Sequence, residues 1–460
     1  MKKLLTKNLL NKYSNIIIAL SIFCLIFLFT IWSRPSLVPK ISPDGYGYWS
    51  IAKDFKTSIS DASIRPWFFS IIIRVCMLIS AEYWQIVLSF FQIVFHSSIS
   101  VLMFFLFRKY HLKLISAVIC ALIIGFNPNL IVYTTYILAD LIFAVLTTLA
   151  WYHILKINDS NHWNYSSIVF ASIFCALSLL TKPVALLMIF QFLIAIYLIK
   201  GFSYNFLKIA FFMLIINYSL FFSWKIFQWY HNPNPLLTKT SLINGAINWT
   251  AIKAGHVDYG KGTSLYQRLE ELDKIEKARS LRINLSYTMD ESSDFVDVFS
   301  SVRSDLVFSS DPIFARQIIK EIPLKIIFLS LAKWHSFFTK RCFFPQKESF
   351  PGMIDFVRKI YIKFYSYLYR PLLLIFLISS IIILYKKQYY NLLFTSFGLL
   401  FYASLVITLG SPHSGEFIRY RVWVEYVMWF CALVPFGHFL NHMFVYLKYI
   451  KKKLFLILSA

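Results

Sequence analysis

The sequence predicts an all-α polytopic membrane protein, and its composition, its apolar runs and its aromatic content carry that prediction. Of 460 residues, 58% are hydrophobic and 15% are charged, whereas soluble domains average roughly 45–50% and about 25%. Apolar runs of about 20 residues, long enough to cross a hydrocarbon core, recur along the chain. The aromatic share of 19% suits side chains that line the two surfaces of a bilayer. An ordinary soluble enzyme is therefore excluded.

The charge balance points the same way. The chain carries 46 Lys and Arg against 22 Asp and Glu, a formal net charge of +24. In a soluble protein such an excess suggests nucleic-acid binding. Beside apolar runs of spanning length we interpret it as a membrane signature, so no nucleic-acid partner is predicted.

Hydropathy predicts about ten transmembrane helices. They fall at 14–33, 84–107, 114–133, 137–155, 165–181, 183–199, 207–226, 364–385, 391–410 and 422–446. Residues 66–81 and 323–338 are shorter or charge-bearing apolar stretches, and as interfacial helices or extra spans they make a bundle of about 10–12 helices. No small-residue cleavage site follows the first span, which predicts an uncleaved helix rather than a signal peptide.

Loop charge predicts the orientation of these helices. If 66–81 and 323–338 stay on the outer side, sixteen Lys and Arg lie in short loops on one side, against Lys182, Arg419 and Arg421 in short turns on the other. Positive loops favour the cytoplasm, so both termini are predicted there. Richness in Phe, Ile and Lys indicates an AT-rich bacterial source. We therefore expect a multi-pass protein of the bacterial inner (cytoplasmic) membrane, whose outer face is periplasmic or extracellular.

Polar sequence accumulates on the predicted outer side and divides the chain into three parts. Residues 1–226 form an N-terminal transmembrane core whose first outer loop is 34–65. Residues 227–362 form a large outer loop, with a small solvated lobe and an interfacial helix, and its stretch from Asp258 to Glu321 holds twelve of the 22 acidic residues. Residues 363–460 form C-terminal transmembrane helices and a basic cytoplasmic tail.

Ionisable residues at the ends of apolar spans are the best candidates for catalysis or binding. Placing a charge in or beside a bilayer costs free energy, so such residues usually have a function. Two carboxylates and four cations map to the outer face: Asp44, Asp140, Arg65, Lys182, Arg419 and Arg421. A carboxylate beside apolar residues is a candidate general base, because desolvation or a neighbouring charge can tune its pKa. Arginine is a candidate phosphate ligand, because it binds phosphate with two parallel hydrogen bonds. Together they favour group transfer from a lipid phosphate. The competing interpretation is that an acid at a span boundary is solvated or paired with a headgroup-facing lysine.

The cysteines predict neither a disulfide framework nor a metal site. Five of the six lie inside apolar runs, and no CxxC or Cys/His spacing occurs. No His/Asp spacing typical of metal ligands occurs either. We therefore expect no metal and no cofactor.

An ordered set of short motifs connects the candidate residues. It consists of Asp44 with Tyr48 and Ala52 (D-x-x-x-Y-x-x-x-A), Arg65-Pro66, Asn127-Pro128, Ala139-Asp140, LLTKP at 179–183 and RYR at 419–421. The set resembles the GT-C superfamily of membrane glycosyltransferases, which use polyprenyl-phosphate-linked sugars, and in particular the branch of the protein O-mannosyltransferases and aminoarabinose transferase. It covers about residues 1–200 and 360–440, with Trp67 standing where the family commonly has a second proline.

The resemblance implies a GT-C-like bundle and an inverting glycosyltransferase. In that interpretation Asp44 removes the proton of the acceptor hydroxyl, Asp140 orients Asp44 or the acceptor, and the four cations neutralise the departing lipid phosphate. The implied donor is a polyprenyl-phosphate sugar held among membrane lipid. The expected acceptor is a hydroxyl of a cell-envelope glycan or glycolipid, such as lipopolysaccharide, on the outer face.

Four further residues are candidate contacts to the acceptor or the sugar. Tyr48 follows Asp44 in the first motif, and Trp49 is suited to stacking on a sugar ring. His256 and Asp258 lie in a Gly-containing loop that is suited to closing over the acceptor.

Two other function classes remain open at this level. A transporter or flippase for a lipid-linked sugar is expected to carry mid-bilayer charges and an internal repeat, whereas the acids here cluster at one face and no repeat is visible. An O-polysaccharide polymerase or ligase also works on the outer face, but the early Asp44 loop argues against it. A close approach of Asp44 and Asp140 favours the transferase over the flippase.

Overall fold

The computed structural model describes residues 2–34, 36–54, 66–231, 356–365, 367–368, 389–410 and 416–458. These residues form an all-α bundle, which confirms the predicted fold class. The helices are α1 Lys2–Trp32, α2 Pro43–Lys53, α3 Phe68–Ile79, α4 Trp84–Lys109, α5 Leu114–Gly125, α6 Pro128–Val132, α7 Asp140–Asp159, α8 Tyr165–Thr181, α9 Met188–Lys200, α10 Tyr204–His231, α11 Tyr390–Gly410 and α12 Glu416–Leu458. Two short 3-10 segments, Tyr133–Thr135 and Pro183–Leu187, and a two-stranded sheet complete the described chain.

Within the described ranges, six stretches of helix are long and apolar enough to cross a membrane. They are Tyr13–Trp32, Trp84–Lys109, Asp140–Asp159, Pro183–Lys200, Tyr204–Phe227 and Arg421–Leu447. Each overlaps a predicted span, so the multi-pass character is confirmed. The predicted total of about 10–12 helices stays a prediction, because most of 364–385 and all of 323–338 lie outside the described residues.

The span predicted as one helix over 114–133 is bent. Leu114–Gly125 and Pro128–Thr135 meet at 44°. Pro128 has no backbone N–H and cannot continue the preceding helix, but it suits the first turn of a new one. Asn127 caps that new helix, since its side chain accepts a hydrogen bond of 3.0 Å from the backbone N–H of Asn129.

The apolar stretch at 66–81 forms a helix too short to span a bilayer. The twelve residues of α3 rise about 18 Å at 1.5 Å each, against a hydrocarbon thickness of about 30 Å. One face is buried through Phe69, Ile73 and Cys76. Arg74 donates hydrogen bonds of 3.4 Å to the carbonyls of Ala52 and Lys53 and so holds the C-terminus of α2.

Helix α7 lies at the centre of the bundle. It packs against α4, α8, α9, α11 and α12. The ring pairs Phe143–Trp423 at 4.9 Å and Trp151–Phe430 at 5.6 Å show that α7 and α12 run parallel. Trp151 also donates a hydrogen bond of 3.0 Å to the hydroxyl of Ser396, which ties α11 to the same core.

The two termini of α7 define two ends of the bundle, here called the Asp140 end and the Asp159 end. At the Asp159 end, Lys109 forms an ion pair with Asp159, and Lys200 donates to the carbonyl of Ser160. The backbone N–H of Lys113 donates to the side chain of Asn441 at 3.0 Å. Cations that the sequence assigned to the cytoplasmic side therefore share one end.

A short parallel sheet anchors α2 at the Asp140 end. Strand β1, Lys40–Ile41, pairs with strand β2, Tyr136–Ile137. Ser42 caps α2 by accepting a hydrogen bond of 2.9 Å from Gly45. A Cβ atom added to Gly45 would lie 2.1 Å from the carbonyl oxygen of Ile137, so only glycine lets the first turn of α2 lie against β2.

Replacement of Gly45 by alanine is expected to destabilise this contact. In Gly45→Ala the new methyl meets a fixed backbone oxygen, and overpacking of this kind costs about 1–3 kcal/mol. Gly398→Ala is the control, because there the new methyl meets the end of the partly exposed Gln191 side chain, which can move aside. Thermal unfolding of the purified protein should show the larger loss for Gly45→Ala, and an equal loss in both variants would contradict this account.

Candidate functional site

The most heavily buried ion pair among the described residues joins two of the predicted site residues. The ammonium of Lys182 lies 2.6 Å from Oδ1 of Asp140, with side-chain exposures of 10% and 0%. Asp140 is the first residue of α7, so its carboxylate also lies where the helix dipole favours negative charge. Two charges of this kind are stable away from water only when each has its partner.

Local chain geometry places Lys182 opposite that carboxylate. Lys182 ends α8 in an extended conformation, as expected for a residue before proline, and Pro183 then starts a 3-10 turn. The hydroxyl of Tyr48 donates a hydrogen bond of 3.5 Å to the carbonyl of Thr181. The end of α8 is therefore fixed between α2 and α7.

The backbone of Asp44 lies in the same region. Asp44 is the second residue of α2 and precedes Gly45, whose backbone lies against Ile137. Asp140 follows Ile137 by three residues. The fold thus brings the start of α2 and the start of α7 together, as the approach of Asp44 to Asp140 requires.

The two aromatic candidates on α2 have different surroundings. Tyr48 is buried, and its ring meets that of Phe69 edge-on at 5.1 Å, so its observed contacts are internal. Trp49 is half-buried and stacks on Trp84 at 6.3 Å. Tyr46 approaches the edge of Trp49 at 5.3 Å and is 58% exposed. This aromatic group reaches the surface through Tyr46.

Arg421 also belongs to the Asp140 end. Its side chain is fully buried in α12. Because α12 runs parallel to α7, and Trp423 contacts Phe143 near the start of α7, Arg421 lies at the level of Asp140. Arg419 lies on the same helix, two residues earlier.

A buried carboxylate that the site prediction did not include lies one turn further along α12. Glu425 accepts hydrogen bonds from the side-chain amides of Asn127, at 3.2 Å, and Asn129. The indole N–H of Trp429 donates to the same carboxylate at 3.3 Å. Asn127-Pro128 was visible as a motif, but its contact with α12 crosses about 300 positions of sequence, which local patterns do not reveal.

The remaining predicted residues lie outside the described part of the chain: Arg65, His256 and Asp258. Within the described part, no group of three or more His, Cys, Asp or Glu side chains is placed to hold a metal ion.

Comparison with known families bears on this arrangement. Residues 79–231 match the family described as dolichyl-phosphate-mannose-protein mannosyltransferase. The match confirms the predicted resemblance to the polyprenyl-phosphate-dependent glycosyltransferases. The matched segment runs from the last residue of α3 to the end of α10 and contains both members of the Asp140–Lys182 pair. No curated protein matches the chain.

The solved structures that resemble the chain at low identity include those of two proteins. The archaeal oligosaccharyltransferase AglB from Archaeoglobus fulgidus, in complex with an inhibitory peptide and a dolichol-phosphate, has 12% identity over 94% of this chain and 52% of its own, with a TM-score of 0.47. ArnT from Cupriavidus metallidurans in the apo state has 10% identity over 93% and 77%, with a TM-score of 0.37. The same protein bound to undecaprenyl phosphate has 9% identity over 90% and 77%, with a TM-score of 0.37. The chain spans about half the length of AglB.

Removal of one partner from the buried pair is expected to destabilise the protein strongly. Lys182→Met leaves the carboxylate of Asp140 buried without its cation, which costs roughly 3–5 kcal/mol of unfolding free energy. Lys109→Met is the matched control, because the Lys109–Asp159 pair is exposed by 44% and 21% and such pairs contribute about 0.2–1 kcal/mol. Unfolding in detergent should separate the two variants, and equal losses would show that the Asp140 pair is not buried in solution.

The Glu425 contacts generate a second stability prediction. Glu425→Leu removes the acceptor of two buried amides, and each buried donor left unsatisfied costs about 1–3 kcal/mol. Glu425→Gln keeps a carbonyl acceptor at the same position and should unfold at a higher temperature than Glu425→Leu. If both variants unfold together, the two asparagines do not depend on this side chain.

Proposed function

We propose that the protein is an inverting glycosyltransferase, which moves one sugar from a polyprenyl-phosphate donor to a hydroxyl of a cell-envelope glycan or glycolipid. The observation that carries the proposal is the Asp140–Lys182 pair, buried beside the helix that bears Asp44 and enclosed by apolar helices. The family match over residues 79–231 supports the same chemistry. Catalysis lies in residues 1–226, and Arg421 is supplied from 363–460.

In the proposed reaction Asp44 is the general base. Its carboxylate takes the proton of the acceptor hydroxyl while the hydroxyl oxygen attacks the anomeric carbon of the sugar. The bond from that carbon to the phosphate oxygen breaks, and its electron pair leaves with the polyprenyl phosphate. Attack opposite the leaving group inverts the anomeric configuration, and the proton remains on Asp44 until product release.

Asp140 and Lys182 act as a unit in this scheme. The ammonium keeps Asp140 ionised, and Asp140 in turn orients Asp44 or the acceptor at the start of α2. The buried guanidinium of Arg421 offsets the charge on the departing phosphate. Arg65, Arg419 and the ammonium of Lys182 contribute to the same effect. Trp49 is the candidate for stacking on the sugar ring, whereas Tyr48 positions α2. His256 and Asp258 stay candidates for acceptor contacts.

The proposed location is the periplasmic or extracellular face of the bacterial inner membrane. Lys109, Lys113 and Lys200 gather at the Asp159 end, opposite the Asp140 end. Cations of that kind favour the cytoplasm, which puts the catalytic residues on the other face. Lipid-linked donors and envelope acceptors meet there.

The test is transfer of labelled sugar from synthetic polyprenyl-phosphate donors to envelope glycolipid in membranes. Asp44→Asn is expected to lower the transfer rate by roughly 10²–10⁴-fold, the usual contribution of a general base, with donor binding retained. Asp54→Asn, the same change at the other end of α2, is the matched control and should transfer at the wild-type rate.

Two outcomes would contradict the proposal. Full transfer by Asp44→Asn at matched expression would remove Asp44 as the base. Failure of the wild type with every donor, together with movement of the lipid-linked sugar across the bilayer, would identify a flippase.

A further inference from the structure

Arg34 is a buried cation that the proposed mechanism does not use. It follows the end of α1 and is 6% exposed. Its Nη1 contacts the hydroxyl of Ser89 in the second turn of α4. Among the residues that the structure describes, neither Nε nor Nη2 of Arg34 has a hydrogen-bond partner.

The two unpartnered atoms form one edge of the guanidinium. With Nη1 directed to Ser89, the N–H bonds of Nε and Nη2 are left parallel and side by side. That edge matches two oxygens of a phosphate or carboxylate, which is how arginine binds such groups bidentately. The unsatisfied edge is therefore shaped for an oxyanion.

The charge of Arg34 persists despite its burial. Desolvation lowers the pKa of Arg34 to about 10, so the guanidinium is still protonated at neutral pH. The adjacent C-terminus of α1 favours a cation, since Arg34 follows the last turn of that helix. A helix terminus carries only partial charge, however, and a buried full charge requires a counter-ion to be stable.

The surroundings connect Arg34 to the proposed catalytic region. Gln92, one turn after Ser89 on α4, donates a hydrogen bond of 3.2 Å to the carbonyl of Tyr136. Tyr136 pairs with Lys40 in the sheet that leads into α2. The Oε1 atom of Gln92 is buried and also has no partner within the described chain. A buried acceptor one turn from Ser89 is thus left without a donor, and the P–OH group of a singly protonated phosphate monoester is a donor of the kind it lacks.

We propose that Arg34, with Ser89, binds the phosphate group of a membrane lipid phosphomonoester, the polyprenyl phosphate that the transfer reaction uses and releases. This inference rests on the proposed function for the identity of the lipid. It adds a phosphate ligand on the α1 and α4 side of the site, beyond the four cations chosen from the sequence. Arg34 binds the lipid and takes no part in proton transfer.

The experiment measures lipid binding to the full-length protein in nanodiscs of neutral phosphatidylcholine. Polyprenyl monophosphate is added as the probe, polyprenol of the same length tests the contribution of the phosphate, and phosphatidylglycerol tests a bulk headgroup. Affinity is obtained from the thermal shift as a function of lipid fraction. In the wild type, only polyprenyl monophosphate is expected to raise the unfolding temperature.

Three variants test the assignment to Arg34. Arg34→Gln should weaken binding of polyprenyl monophosphate at least tenfold, and Arg34→Lys should fall between it and the wild type, since lysine keeps the charge without the paired N–H bonds. Arg108→Gln, the same change at the Asp159 end, should bind as the wild type does. If Arg34→Gln does not fold, Arg34→Lys decides the test.

The outcomes separate this inference from the proposed function. Unchanged affinity in the Arg34 variants overturns the inference while transfer by the wild type leaves the function intact. An equal response to phosphatidylglycerol assigns the site to bulk headgroups and also overturns it. Phosphate binding that depends on Arg34, in a wild type that transfers no sugar, supports the site and contradicts the function.

Discussion

The arrangement of the Asp140 end depends on one requirement, that Asp140 and Lys182 be buried together. A carboxylate with no exposed surface cannot remain ionised without its cation, so the start of α7 and the end of α8 must meet. Pro183 keeps Lys182 extended at that point, and α2 lies across the junction through Tyr48 and Gly45. The helix that carries Asp44 is thereby held where the pair is.

The same two residue types have different roles at the two ends of α7. Lys109 and Asp159 are exposed by 44% and 21%, whereas Lys182 and Asp140 are exposed by 10% and 0%. Water screens the first pair, so it contributes little and joins the basic surface of the Asp159 end. Water screens the buried second pair much less. Its electrostatic field therefore extends into the region where proton transfer is proposed.

Polar contacts inside the bundle bring the C-terminal helix into the site. Apolar packing alone allows α12 to slide or rotate against its neighbours. A buried carboxylate fixes the position of the helix, because its hydrogen bonds form only in one arrangement. Glu425 meets Asn127 and Asn129 at the bend before α7, and this places Arg421 one turn closer to Asp140. Among the described residues, Arg34 is a further buried cation at this end, where it contacts α4. The segment after α1 and the start of α12 thus each bring a buried arginine to the Asp140 end.

The sequence by itself determined the fold class, most span positions and the gathering of Asp44, Asp140 and Lys182 at one end, because hydropathy and loop charge are local properties. It assigned Lys182 to the donor phosphate, and it did not single out Arg34 because cations beyond a span commonly reach lipid headgroups. Only the tertiary structure decided that Lys182 contacts Asp140, 42 positions away in the sequence, and that Glu425 contacts Asn127, 298 positions away. Burial follows from local periodicity, whereas the choice of partner depends on which helix ends the packed bundle brings together.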